Sequence, residues 1–292
     1  MTDDDRGTAV AAAAGRGTVP GWDCHVHVFD AAAPVATGHY RPAHRPLAQI
    51  EAAAVAAGVQ HLVLVQPSVY GHDNTLLLQA LAARPGRHRG VVVLGNEVDD
   101  HELDAMHALG VRGVRLNLVS PVGESGADVG RRFAALAPRL RARGWHLQWY
   151  AGPEHLAAVA RAHAGSGVVA VLDHLAGLHA ELPADDPAWE AVARLAGQGA
   201  WVKLSGWYRL RAAAPYELLA DTVRRLSALF GERLVWGSDW PHTSFAADAM
   251  PDYGSTWAPL AAALGEEDAA RVRAAGAQLY DGSEPGGGQS AR

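Results

Sequence analysis

Trp22-Asp23-Cys24-His25-Val26-His27-Val28-Phe29 is the stretch from which the rest of the chain can be read. Its apolar run ahead of a loop-like segment describes a strand, and on a strand alternate side chains share a face. His25 and His27 are then expected to point one way, as a two-pronged ligand or catalytic pair, with Cys24, Val26 and Val28 pointing the other. A core strand carrying two satisfied histidines is the plainer alternative. Among 15 histidines one would mean little, whereas two in alternation on an apolar strand carry a functional reading.

Outward from this strand the same unit repeats. After a loop over 30–45, with Pro34, Gly38 and Pro42, the pattern predicts a helix over 46–58, a strand over 61–68, a helix over 73–83 and a strand over 90–97. It continues with a helix over 99–109 stopped by Gly110, a strand over 111–118, and a helix over 130–143 kinked at Pro138. Then come a strand over 145–151, a helix over 153–164, an extended run over 168–175 and a helix through 189–195. A strand over 200–207, a helix over 215–230, a strand over 233–240 and a helical stretch over 256–279 broken near Gly265 complete the series.

Most of the eight strands are near-continuous apolar runs, the composition of parallel strands covered on both faces. No Gly-x-Gly-x-x-Gly follows any of them, and eight repeats in about 250 residues fit a closed (β/α)8 barrel better than an open doubly wound sheet. No linker-like composition interrupts residues 21–281, which are read as one α/β domain between disordered tails at 1–20 and 282–292.

Composition narrows the function. Hydrophobic residues make up 49% and charged residues 19%, which is globular rather than disordered. A net charge of -6 with an isoelectric point near 6.2 leaves no basic footprint for nucleic acid. No run of about 20 apolar residues predicts a membrane span. The single cysteine, Cys24, excludes an intrachain disulfide and, with an acidic rather than basic start at Asp3, Asp4 and Asp5, fits a cytoplasmic protein.

In a barrel of this kind chemistry sits where the strands end and the βα loops open. Polar residues gather there: His25 and His27 on strand one; Gln66 and Ser68 on strand two; Asn96 and Glu97 on strand three; Arg115 and Asn117 on strand four. His146, Gln148 and Tyr150 alternate on strand five, Asp173 and His174 end strand six, and Lys203 and Ser205 lead to Trp207 and Arg209 on strand seven. Asp239 follows strand eight, with His242 beyond it. Unpaired, such groups would each cost several kcal/mol, so their shared location argues for a site. His146 and Lys203, deeper in their strands, read first as core groups closing a hydrogen-bonded network. His242 is open between an exposed loop histidine and a functional one.

Five segments carry a resemblance: Asp23-Cys-His-Val-His27, Gly110-Val-Arg-Gly-Val-Arg-Leu-Asn117, Leu172-Asp-His174, Val202-Lys-Leu-Ser-Gly206 and Trp236-Gly-Ser-Asp-Trp-Pro-His242. In this order the chain resembles the amidohydrolase superfamily, and within it the amidohydrolase-2 branch that holds pyrone dicarboxylate and sugar-acid lactonases. The resemblance implies a distorted TIM barrel and a hydrolase opening a small carboxylated lactone. It makes Asp239, His25, His27 and His174 the catalytic set, with Asp239 activating water and the histidines polarising the carbonyl. It places Arg115 and Tyr150, with Arg209 as a third, at the substrate carboxylate; Ser68 and Asn117 are further candidates for substrate contact. No cofactor is required on this reading, or one divalent metal such as zinc is held by His25, His27 and Asp239. Strand five offers Gln148 and Tyr150 where a metal-dependent relative has a histidine, which makes the metal optional. The loop 120–130 lacks an arginine for a second carboxylate, although Arg131 follows. The alternatives are a zinc-dependent decarboxylase of the same superfamily and a non-catalytic binder of carboxylated metabolites. The sequence carries no reading of oligomeric state.

Overall fold

The computed structural model describes residues 21–35, 40–95, 97–119, 129–243, 245 and 248–282. Both tails, Asn96 and most of the loop 120–130 lie outside the described residues. Eight strands, β1 Gly21–Val26, β2 Val59–Val65, β3 Arg89–Val92, β4 Val111–Asn117, β5 His146–Tyr150, β6 Ala170–Leu172, β7 Trp201–Leu204 and β8 Leu234–Trp236, pair in chain order, each parallel to the next. The ring closes through the parallel bridge of Val26 with Trp240, where His27 N donates to Trp240 O and Asp239 N to His25 O, both at 2.9 Å. This is the (β/α)8 barrel, and its closing seam runs between the two segments richest in polar candidates.

Helices α1 Leu47–Ala56, α2 Thr75–Ala82, α3 Asp100–Leu109, α4 Val129–Arg143, α5 Leu156–His163, α6 Ala188–Gly197 and α7 Ala220–Phe230 connect successive strands. Leu62, Leu64, Val92, Val114, Leu116, Leu147 and Leu172 belong with helix residues to the large outer core. Val63, Val65, Val91, Val171 and Val235 form a separate inner cluster with Trp22 and Cys24, joined at the N-terminal end by Ala275 and Tyr280. Alternation along each strand therefore feeds two cores, which is why the strands read as continuous apolar runs. A capping box at Asp99 and Glu102 starts α3, and Gly110, at φ 108°, ends it and turns the chain into β4.

The structure corrects several expectations. Cys24 packs inward with Trp22, whereas Val26 and Val28 join the outer core, because the β1 register shifts between Asp23 and Val26. A bulge of this kind reverses the parity of the residues after it and lets His25 and His27 both face the barrel mouth. The helix expected from residue 215 starts at Ala220, since Tyr216 is left-handed (φ 67°) and a 3-10 turn spans Glu217–Leu219. The stretch 256–279 is three helices, α8 Ala258–Leu264, α9 Glu266–Ala274 and α10 Gly276–Asp281, divided at Gly265 and again at Ala275. No described helix is long and apolar enough to cross a membrane.

Candidate active site

Asp239 stands at the centre of the polar residues that end the strands. It is buried, and its backbone is left-handed at φ 59°, a strained conformation for a residue with a Cβ. One carboxylate oxygen, Oδ2, accepts from Tyr208 Oη at 2.6 Å and Arg209 Nε at 2.7 Å. The other, Oδ1, lies 3.4 Å from His27 Nε2 and 3.7 Å from His25 Nε2 and has no hydrogen-bond partner among the described residues. Burial alone would raise this carboxyl's pKa, but the Arg209 guanidinium bonded to Oδ2 outweighs it and holds the group well below the usual carboxylate range. It is ionised at neutral pH.

The histidines around it are not equivalent. His27 Nδ1 is 2.8 Å from the Val65 carbonyl, which can only accept, so the neutral ring carries its proton there and turns a bare Nε2 toward Asp239. His25 lies between two carboxylates, with Nδ1 3.3 Å from Asp173 Oδ1 and Nε2 facing Asp239. His174 Nδ1 is 2.9 Å from Ser205 Oγ, and because a hydroxyl can donate, this ring is able to keep a proton on Nε2. Burial holds His25 neutral and lowers His174 to about 4, against the pull of Asp239 and Asp173.

Two glycines make room for these rings. A Cβ on Gly237 would stand 2.6 Å from the His25 Cβ, and one on Gly206, itself at φ 60°, would collide with His174 Nδ1.

A bare imidazole nitrogen facing a carboxylate oxygen is repulsive unless a proton, water or cation lies between them. His25, His27 and Asp239 offer donor atoms within 4.8 Å of one another, all buried. Two imidazole nitrogens and one carboxylate oxygen form a donor set that fits a divalent ion such as zinc, with water completing the shell. His25, Asp173 and His174 make a second such group.

Asp173 is the second centre. Its Oδ2 accepts from Arg115 Nε at 2.9 Å and Gln148 Nε2 at 3.1 Å, and Lys203 Nζ lies 3.8 Å from Oδ1. Neighbours in sequence, Asp173 and His174 would diverge on a regular strand; His174 is left-handed (φ 52°), and both side chains reach the mouth. Arg115 lies over the Tyr150 ring, 5.0 Å from its centroid, and that ring meets His174 edge-on at 4.9 Å. Tyr150 and Arg209 also line a cavity of about 570 Å³ shared with Leu182, His179 and Arg211.

The structure thus brings together His25, His27, His174 and Asp239, with Arg115, Tyr150 and Arg209 around them. Arg209, expected at the substrate carboxylate, is engaged by Asp239. Asn117 is at the end of β4, its Oδ1 accepting from Val119 N at 3.1 Å, and Ser68 opens a 3-10 turn beyond β2. Tyr208 escapes the sequence reading because strand alternation turns it away from Arg209, but Trp207–Arg209 is a 3-10 turn. His242 is fully buried, edge-on to Tyr208 at 5.7 Å, and burial lowers it to about 4.

The chain is similar to known proteins over most of its length. The chain is 30% identical over 239 residues to a 4-sulfomuconolactone hydrolase of Rhizobium radiobacter, covering 80% of each chain. To a 2-pyrone-4,6-dicarboxylate hydrolase of Comamonas testosteroni it is 28% identical over 246 residues, again covering 80% of each. The crystal structure of a candidate 2-pyrone-4,6-dicarboxylic acid hydrolase from Pseudomonas putida superposes with a TM-score of 0.78 at 31% identity, over 90% of this chain and 98% of that one. Residues 22–275, from β1 to the end of α9, match the model of the family described as Amidohydrolase, and the chain belongs to that family.

Proposed function

We propose that the protein hydrolyses a small lactone bearing at least one further anionic group. The observation that carries this reading is the pairing of an ionised, buried Asp239 Oδ1 with the bare Nε2 of His27, beside cationic Arg115 and Arg209. A water on Asp239 Oδ1, with no proton on His27 Nε2 3.4 Å away to compete for that oxygen, gives one hydrogen to the carboxylate and points its lone pair at a carbonyl carbon. The similar hydrolases of Rhizobium radiobacter and Comamonas testosteroni are named for lactones with sulfonate or carboxylate groups, which supports the same substrate class here.

In this mechanism the substrate anion meets Tyr150 at the cavity wall and Arg115 over that ring, with Arg209 as the third contact, and the lactone carbonyl lies over the water. His174 donates from Nε2 to the carbonyl oxygen, its other nitrogen held by Ser205. As water attacks, its proton passes to Asp239 Oδ1. The tetrahedral intermediate collapses with cleavage of the ring C–O bond, and Asp239 returns the proton to the departing oxygen. A metal is optional for these steps; where His25, His27 and Asp239 hold a divalent ion such as zinc, it supplies Lewis-acid polarisation of the carbonyl.

A hydrolysis screen over carboxylated and sulfonated lactones, with and without chelator, tests the proposal. Ring opening by wild-type protein that Asp239→Asn abolishes is the expected result. Carbon dioxide release with stoichiometric metal would instead make the protein a decarboxylase, and binding without turnover across the panel would make it a binder of carboxylated metabolites.

A further inference from the structure

Lys203 is fully buried inside the barrel, beneath His25, where an ammonium is costly unless every donor is well placed. Its Nζ donates to the Cys24 carbonyl at 2.8 Å and to Gln148 Oε1 at 2.6 Å. A lysine can only donate, so the Gln148 oxygen must face it, which turns the amide NH2 of Gln148 toward Asp173 Oδ2. Arg115 Nε is the second donor to that same oxygen. With Oδ2 held from two sides, Asp173 leaves Oδ1, which makes no hydrogen bond among the described residues, as an acceptor 3.3 Å from His25 Nδ1.

The orientation has a chemical consequence. His25 has a carboxylate near each nitrogen, Asp173 at 3.3 Å and Asp239 at 3.7 Å, and the neutral ring has one proton to give. If that proton sat on Nε2 it would point at Asp239 Oδ1 and occupy the acceptor proposed to hold water. We propose that Lys203 and Gln148 are positioning residues that act through Asp173 to keep the His25 proton on Nδ1, leaving Nε2 bare and Asp239 Oδ1 free. Removing either residue leaves Asp173 held by Arg115 from one side only, lets the proton move to Nε2, and blocks the base without removing any group that binds the substrate anion. The inference rests on the reading of Asp239 and His27 as the reaction centre.

The test reads the His25 tautomer directly, by two-bond proton–nitrogen correlation in protein labelled with nitrogen-15 histidine. The ring is assigned by its loss in His25→Gln, and spectra are taken as purified and again after chelation. Wild type is expected to show His25 protonated on Nδ1 in both. In Lys203→Met the population shifts toward Nε2, kcat on the best lactone falls by about tenfold or more, and KM stays within about twofold. Gln148→Leu, which keeps Lys203, is expected to shift the tautomer the same way and serves if Lys203→Met does not fold. Wild-type His25 protonated on Nε2 would overturn the proposal, as would a folded Lys203→Met or Gln148→Leu with tautomer and kcat unchanged. If no lactone is turned over by wild type, the hydrolase reading fails while the tautomer measurement still decides whether this network orients His25.

Discussion

Asp239→Asn removes the proposed base with the least change of shape. Tyr208 and Arg209 both donate to Oδ2, so the new amide must turn its oxygen toward them. Its NH2 then stands where Oδ1 stood, 3.4 Å from His27 Nε2, and finds an acceptor there because the His27 proton is committed to Val65. The side chain is satisfied, but water now meets a donor in place of a base. Losing a positioned base costs about 100- to 10,000-fold in rate, or about 3–5 kcal/mol in the barrier.

Stability changes less than the charge removed would suggest. Breaking a buried ion pair from one side costs about 3–5 kcal/mol, but the Arg209 side chain is 21% exposed, which brings the expected loss to about 1–2 kcal/mol. KM is expected to hold or fall, since Arg209 no longer divides itself between Asp239 and the substrate anion. Steady-state kinetics on the best lactone of the screen, with urea unfolding as the control, measures all three. A folded Asp239→Asn with kcat within about tenfold of wild type would refute the assignment of Asp239 as the base, and an unchanged kcat with a greatly raised KM would make it a binding group.

Three further outcomes are expected from the geometry. Gly206→Ala places a Cβ at φ 60° against His174; a left-handed Cβ costs about 1–2 kcal/mol, so Tm should drop by about 5 °C and kcat should fall with it, and an unchanged kcat would separate His174 from the reaction. Arg115→Lys loses the planar fork that serves Asp173 and stacks over Tyr150, so KM for an anionic lactone should rise by about tenfold with a smaller effect on kcat. Burial lowers His146 to about 3 and His174 and His242 to about 4. With folded values below the ordinary 6.5, the unfolded chain takes up these protons first, and stability is lost as pH falls from about 6.5 toward 4. Asp23, raised to about 6 by burial, binds its proton first in the folded state and offsets part of the loss over pH 6 to 3.8. Three imidazoles against one carboxyl leave a net loss on the order of 5 kcal/mol near pH 4; a urea midpoint that stays flat from pH 7 to 4.5 would contradict the buried, neutral assignment.

The barrel was legible because its signal is repetitive: strands whose two faces both pack, as Leu62 and Leu64 do outward and Val63 and Val65 inward, read as apolar runs without knowledge of any contact. The gathering of His25, His27, His174 and Asp239 was legible from their place at strand ends. What stayed hidden is which partner each side chain takes. Nothing in the order Trp207-Tyr208-Arg209 says that Tyr208 and Arg209 converge on one oxygen of Asp239, because that depends on a 3-10 turn. Lys203 and Gln148 show only as polar positions on two strands; their joint hold on Asp173 needs the closed ring that brings β5, β6 and β7 side by side.

Within the site, period-two alternation breaks at the register shift between Asp23 and Val26 and at the left-handed residues His174, Asp239 and His242. Local rules are expected to break where a chain must present chemistry rather than pack, and the strain has to be held by surrounding bonds. Asp23 shows how. It is buried, with Oδ1 accepting from His25 N at 3.1 Å and Ser238 N at 2.9 Å and Oδ2 from Tyr253 Oη at 2.8 Å. One carboxylate thereby ties the bulge that aims His25 to the turn that aims Asp239, across the seam where the barrel closes. The His-x-His pair depends on the residue two positions before it: without Asp23, the spacing of His25 and His27 would remain in the sequence, but nothing would fix their distance to Asp239.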